Sequence, residues 1–306
     1  MSDTLAEVGD SLPQDNRDAS VRRWVVDVLA GSPLPMLAEP RERQAVADRL
    51  MADLDDRSRL VLEAMGRRYD EGELTRLQGH LRNTLAGVPV QRVVGWTEFR
   101  GLRLDCSGDV LIPRPETEEV VGWFLEGMSR ADAMSVAGPV RVVDVGTGSG
   151  CVALSIKEER PHWEVVAVDV SERALAQAQS NADLLGLDVE FLAQDALDVQ
   201  SLAALGPFHG IVSNPPYIPA NEVLDPHVAD HEPHEALFVP ETDPLLFYRA
   251  LRDLAEASLV AGGCMVAECH REFTRDVADC WQLDGALTEC LTDLQGAERA
   301  VRFVRS

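Results

Sequence analysis

Lysine is almost absent: Lys157 is the only one in 306 residues, and arginine carries the rest of the basic charge. Against 28 basic residues stand 52 acids, for a net charge of −24. Such a surface opposes non-specific nucleic-acid binding, because phosphate contacts need basic patches. The same balance would follow from life in high salt, in which case it reports habitat rather than substrate. Long apolar runs are also missing. None approaches the roughly 20 residues that cross a bilayer, so no membrane partner is expected. The polar, acidic start lacks the basic residues and apolar core of a secretory signal, and a cytoplasmic protein is expected. The six cysteines, Cys106, Cys151, Cys264, Cys269, Cys280 and Cys290, include no CxxC pair. Their apolar surroundings suggest reduced core residues rather than a disulfide or zinc framework. Repeats and low-complexity tracts are absent too. With 45% hydrophobic residues, the chain can still bury a substantial core.

The hydrophobic pattern divides the chain. Residues 1–19 read as a flexible acidic tail. Residues 20–88 read as a small helical domain, with Val21, Trp24, Val25 and Val28 at helical spacing and Leu60, Val61, Ala64 and Met65 likewise. Residues 89–112 read as a β-hairpin linker, from Val93, Val94, Trp96 and Phe99 through Arg100-Gly101 to Leu102 and Leu104. In residues 113–306 strands alternate with helices. Strands are expected at 141–145, 164–169, 189–193, 209–213, 264–268, 287–291 and 300–304. Helices are expected after Pro115 and at 151–158, 172–185, 245–259 and 273–281. This alternation predicts an α/β fold with a doubly wound, mostly parallel, seven-stranded sheet.

The first of these strands runs into Asp144-Val145-Gly146-Thr147-Gly148-Ser149-Gly150 and then a helix. Glycines allow a tight turn and close approach of a ligand to the backbone. The helix start beyond them offers unpaired N–H groups. The spacing is not that of a dinucleotide loop. Asp169 ends the next strand, where one carboxylate can accept from two ribose hydroxyls. After the third strand, Asp195 and Ala196 stand where an adenine edge would lie. This strand-loop with acids ending the following strands resembles the class I methyltransferases. The resemblance implies S-adenosyl-L-methionine as cofactor, with Asp144, Gly146 to Gly150, Asp169, Asp195, Ala196 and Asn214 around it.

The fourth strand ends in Asn214-Pro215-Pro216-Tyr217. Two prolines stop the ladder and stiffen the turn. The flanking residues call for a chemical reason. An amide or exocyclic amine is a weak nucleophile with two N–H donors. The Asn214 side-chain oxygen and the Pro215 carbonyl can accept one each, and Tyr217 can stack on a planar group. Positioning and preorganised dipoles would then do most of the catalysis. The four residues point to a planar nitrogen and leave open whether it is an amide or a nucleic-acid base.

Further motifs narrow that choice. Gly95 to Leu102, then Ile112-Pro113-Arg114-Pro115-Glu116-Thr117-Glu118, resemble the release-factor glutamine methyltransferases, as do Glu232-Pro233 and Ala236-Leu237. The resemblance implies a helical substrate-docking domain, a hairpin and a class I catalytic domain. It implies methyl transfer to the glutamine of the Gly-Gly-Gln motif in class 1 peptide chain release factors, with no stable nucleic-acid partner. The alternative is methylation of an exocyclic amine of a DNA or RNA base. Ala196 is smaller than the residue this resemblance would place there. Arg114 and Glu116 could shape the cofactor lid or lock the hairpin to the sheet. Glu268 and Cys269 are expected at the site's rim. His227, His231 and His234 have a spacing reminiscent of metal ligands, but prolines interrupt the segment and methyl transfer needs no metal, so none is expected.

Overall fold

The computed structural model describes residues 12, 13, 15–128, 138–283 and 286–306. The chain forms two compact units: Met1–Trp96 with Asp225–His231, and Thr97–Leu224 with Glu232–Ser306.

The first unit contains α1 (Asp18–Ala30), α2 (Pro40–Ala52), α3 (Arg59–Met65), α4 (Glu71–Leu85) and α5 (Val90–Val94). Val21, Val25, Val28 and Leu29 form one face of α1 and bury against Leu50 and Met51 of α2 and Leu77 and Leu81 of α4. That is the helical spacing anticipated from sequence. A reciprocal Asp70–Glu73 capping box starts α4. Much of the expected tail lies outside the described residues, but its last part is ordered. Asp18 is 2% exposed and accepts from Tyr69 Oη at 2.7 Å and from Arg22 Nε at 2.8 Å. A buried carboxylate needs such partners, and here they anchor the chain from Asp15 onward.

The hairpin is shorter than expected. Val93 and Val94 lie in α5, and the paired strands are only β1 (Trp96–Phe99) and β2 (Leu102–Asp105). The β-branched pair follows Pro89, which caps a short helical turn, and this local geometry overrides strand propensity.

The second unit continues with α6 (Pro115–Gly127), β3 (Arg141–Val145), α7 (Cys151–Glu159), β4 (Glu164–Asp169), α8 (Glu172–Leu185), β5 (Glu190–Ala193), α9 (Val199–Ala203) and β6 (Phe208–Ser213). Then come β7 (Ile218–Pro219), α10 (Pro226–Ala229, within the first unit's segment), α11 (His234–Leu237) and β8 (Phe238–Val239). The chain ends with α12 (Leu246–Ser258), β9 (Leu259–Glu268), α13 (Thr274–Cys280), β10 (Leu287–Thr292) and β11 (Glu298–Val304).

Seven strands form one sheet in the order β10-β11-β9-β6-β3-β4-β5. β9, β6, β3, β4 and β5 are parallel, while β11 runs antiparallel to β9 and β10 antiparallel to β11. The strand β9 begins at Leu259, five residues earlier than the sequence suggests, because the Gly262-Gly263 pair lies inside it. Alternation along β3 serves two cores. Val142 packs with Phe124 and Leu154 on one face, and Val143 and Val145 with Ile211 and Leu254 on the other. The strand order reverses between β3, the first strand laid down in this sheet, and β6, since β4 and β6 flank β3 on opposite sides. In such sheets ligands gather beyond the carboxyl ends at this reversal. The six cysteines are free, with Cys106, Cys264 and Cys269 buried. Among the described residues no helix is long and apolar enough to cross a membrane.

Candidate active site

The carboxyl ends of β3, β4, β5 and β6 surround a cavity of about 310 Å³. Its wall includes Asp144, Gly146, Thr147, Gly148 and Ser149 from the loop after β3, and Asp169 from the end of β4. Asp195 and Ala196 follow β5, and Asn214, Pro215 and Pro216 follow β6. Two of the residues singled out from sequence, Gly150 and Tyr217, are not among its lining residues. The volume falls at the small end of ligand pockets.

The glycine loop owes its shape to left-handed backbone. Gly146, Gly148 and Gly150 have φ of 76°, 55° and 82°. Such angles disfavour side chains. A Cβ at Gly146 or Gly148 would meet nothing within 4 Å, whereas one at Gly150 would press on Ala178 and Leu154 at 3.1 Å. Two of the glycines therefore border open space, and the third lets α7 pack against α8.

Three polar side chains hold the loop. Asp144 Oδ2 accepts from Thr147 Oγ1 at 2.7 Å and from the Ala153 N–H at 3.2 Å. Burial pushes the Asp144 carboxyl up to about 7, against these two bonds. Asp169 accepts from the Gly148 N–H and the Ser171 N–H, both at 2.9 Å. Each of its oxygens keeps accepting capacity for a ligand. Asn181 of α8 donates to the Ser149 carbonyl at 2.9 Å and to the Asp105 carbonyl at 3.0 Å. It therefore ties the loop to the hairpin's end. In sequence, only an amide inside an otherwise helical pattern hints at this role.

The turn after β6 rests on a hydrogen-bonded chain. Asn214 Nδ2 donates to Thr117 Oγ1 at 3.2 Å, and Thr117 Oγ1 donates to Glu268 Oε2 at 2.6 Å. Tyr217 Oη donates to the other carboxylate oxygen, Glu268 Oε1, at 3.2 Å. Burial raises the Glu268 carboxyl, and the two hydroxyl bonds oppose that shift. Burial also raises the Tyr217 phenol, with the Glu268 charge adding to it. The Tyr217 ring lies 6.2 Å from that of His270. Thr117 sits in the Ile112 to Glu118 run, but the sequence reading gave it no role of its own.

Arg114 lines the cavity and pairs with Glu232, whose side chain is buried. Glu232 Oε2 also accepts from the Ile112 N–H at 3.0 Å. This pair straps a segment beyond the Asn214 turn to the run before α6. Among the described residues, no group of three His, Cys, Asp or Glu side chains could hold a metal ion. His227 bonds the Gly87 carbonyl, and the His234 ring lies tilted against Phe238 with centroids 5.1 Å apart.

A family model described as the methyltransferase small domain matches residues 131–230. The chain is also similar to the release factor glutamine methyltransferase of Deinococcus radiodurans, 40% identical over 223 residues, covering 72% of this chain and 76% of that one. The chain belongs to the release factor glutamine methyltransferase family. The family relationship extends further in the Bacillus subtilis enzyme of the same name, 36% identical over 265 residues, which covers 85% of this chain and 91% of its own length. The Flavobacterium psychrophilum enzyme is 36% identical over 217 residues, covering 70% and 74%. The chain is an enzyme with a class I methyltransferase fold.

Proposed function

We propose that this enzyme methylates the side-chain amide nitrogen of the glutamine in the Gly-Gly-Gln motif of class 1 peptide chain release factors, using S-adenosyl-L-methionine. The observation that carries this reading is a single cavity bordered by both the glycine loop and the Asn214-Pro215-Pro216 turn. The residues suit the methyl donor. Gly146 and Gly148 leave room for a ligand against the backbone, and Asp169 retains lone pairs for hydroxyl donors. Asp144 and Thr147 hold the loop, Gly150 lets it turn into α7, and Ser149, Asp195 and Ala196 complete the lining. When bound, the donor supplies a methyl group on a positively charged sulfur, activated for displacement.

The chain's own contribution is positional. A glutamine amide has two N–H donors, and its lone pair is delocalised into the carbonyl. Asn214 Oδ1 and the Pro215 carbonyl accept those donors. Pro215 and Pro216 keep the two acceptors rigid, and Tyr217 closes the turn against the amide plane. Fixed acceptors favour a pyramidal nitrogen whose lone pair points at the methyl carbon. No strong base is required, because the nitrogen turns acidic only as the new N–C bond forms. The excess proton then leaves through the acceptors to water. Release factors act in the cytoplasm, where this reading places the enzyme. Its acidic surface provides no stable nucleic-acid partner.

Incubation with methyl-labelled donor and a release factor tests the proposal. Label should enter the wild-type factor and fail to enter a factor whose motif glutamine is replaced by alanine. Equal labelling of both, or label found in co-incubated nucleic acid instead, would overturn it.

A further inference from the structure

Asn214 has to present an oxygen to its substrate, yet an amide side chain can turn either end forward. The chain of bonds behind it bears on that choice. Both oxygens of Glu268 are taken by hydroxyl donors, Thr117 at 2.6 Å and Tyr217 at 3.2 Å. Thr117 has one hydroxyl proton, and Glu268 claims it. The Thr117 oxygen can then only accept, so the Asn214 end facing it must be Nδ2, as the 3.2 Å bond has it. The opposite end, Oδ1, is left as the one able to accept from a ligand N–H. A reversed amide would set NH2 against NH2, two donors with no acceptor between them.

We propose that Glu268, acting through Thr117, sets the orientation of the Asn214 amide and thereby selects a substrate nitrogen that donates hydrogen bonds. Glu268 and Thr117 are positioning residues for the reaction. The inference rests on the function proposed above for Asn214. Its geometry is built for rigidity: Glu268 ends β9 with 1% exposure, and Thr117 lies in the first turn of α6 with 1% exposure. Asn214 itself begins the turn after β6, so three elements distant in sequence converge on one amide. The same carboxylate restrains Tyr217, so both ends of the Asn214-to-Tyr217 turn refer to one buried group. Glu268 is not among the residues lining the cavity, and Thr117 and Tyr217 occupy its two oxygens.

The test uses the full-length enzyme and three variants, with a fourth, Asn214→Asp, for resonance assignment. Glu268→Gln keeps the shape but places an NH2 group where Thr117 or Tyr217 needs an acceptor. Thr117→Val keeps the volume but removes the hydroxyl, and Thr117→Ser restores it. In Thr117→Val, kcat for release-factor methylation should fall roughly fivefold to tenfold, the consequence of losing one ordinary hydrogen bond that orients the reactive geometry. Affinity for S-adenosylhomocysteine should stay within twofold, and Thr117→Ser should recover most of the lost rate. A second readout does not depend on turnover. The Asn214 side-chain NH2 resonance, assigned by its disappearance in Asn214→Asp, should exchange slowly with solvent in the wild type and rapidly in Thr117→Val. Unchanged exchange together with unchanged kcat in both Thr117→Val and Glu268→Gln overturns the inference. A wild-type enzyme that leaves release factors unmethylated, yet shows slow exchange lost in Thr117→Val, overturns the proposed function and supports the orienting chain.

Discussion

Replacing Asp144 by Asn should change how the stability of the catalytic unit depends on pH. Asp144 is 1% exposed, and burial pushes its carboxyl from an ordinary 3.8 to about 7, opposed by its bonds from Thr147 and Ala153. Between about pH 4 and pH 7 the folded chain holds a proton that the unfolded chain has released. Stability therefore falls as pH rises through that window, and the penalty is complete above the folded value. Three units at about 1.4 kcal/mol each make about 4 kcal/mol, of which roughly 2–3 kcal/mol develops between pH 5 and pH 8. Both structural bonds end on the same oxygen, Oδ2, so the amide oxygen of Asn can take that place without moving the loop. Other titrating groups cancel when wild type and variant are compared at each pH. The difference in unfolding free energy should shift by about 2–3 kcal/mol in favour of the variant from pH 5 to pH 8. Urea denaturation of the ligand-free proteins measures it, with the buried Trp163 and Trp281 reporting on the catalytic unit. A difference that stays constant with pH would show that Asp144 remains ionised in the fold, and the reasoning would fail.

Three other perturbations are sharply constrained. Gly210→Ala should destabilise the catalytic unit, because its Cβ would stand 2.5 Å from Phe124 Cζ and 2.9 Å from Met128 Sδ, both fully buried. Overpacking of this kind costs about 1–3 kcal/mol, so the Tm by calorimetry should drop by several degrees, and an unchanged Tm would show that α6 yields freely. Glu232→Gln leaves Arg114 without its carboxylate and weakens the strap to Ile112. A loss of roughly 1–3 kcal/mol in chemical denaturation is expected, and none would mean the pair holds nothing. Asp169→Ala should weaken binding of S-adenosylhomocysteine by roughly ten- to hundredfold in calorimetry, the effect of removing a charged hydrogen-bond acceptor. Affinity within twofold of wild type would remove Asp169 from the donor site.

Much of the catalytic unit's secondary structure can be read from local pattern. The strand at Arg141–Val145 and the helix at Glu172–Leu185 begin and end where the sequence puts them. Each is delimited by features close in sequence: glycines after β3, and Ser171 capping α8 by accepting from the Ala174 N–H. Errors gather where tertiary context outweighs local preference. Val93 and Val94 look like strand residues but complete a helical turn before Gly95. Asp15 to Asp18 look like a polar tail, yet Tyr69 and Arg22 bury Asp18 from 51 and 4 residues away.

The site divides along the same line. The glycine loop and the Asn214 turn, both singled out from sequence, border one cavity, and each is a run of neighbouring residues that local pattern can show. Their supports are not legible, because rigidity in a sheet comes from elements far apart in the chain. Thr117 lies 97 residues before Asn214, and Glu268 lies 151 after Thr117. Glu232 reaches back 120 residues to Ile112. Each looks like an ordinary polar residue in an apolar neighbourhood until the fold brings its partner within 3 Å or so. A buried polar group of this kind must find a partner or cost stability. Five of the buried polar residues of the catalytic unit, Asp144, Thr117, Asn181, Glu232 and Glu268, brace the segments around the cavity. Four of the five act on the two loops that border one cavity, Asp144 and Asn181 on the first and Thr117 and Glu268 on the second. The turn after β6 can say only that a planar nitrogen is welcome. In the orientation proposed above, the buried carboxylate behind it sets which end of Asn214 the nitrogen meets.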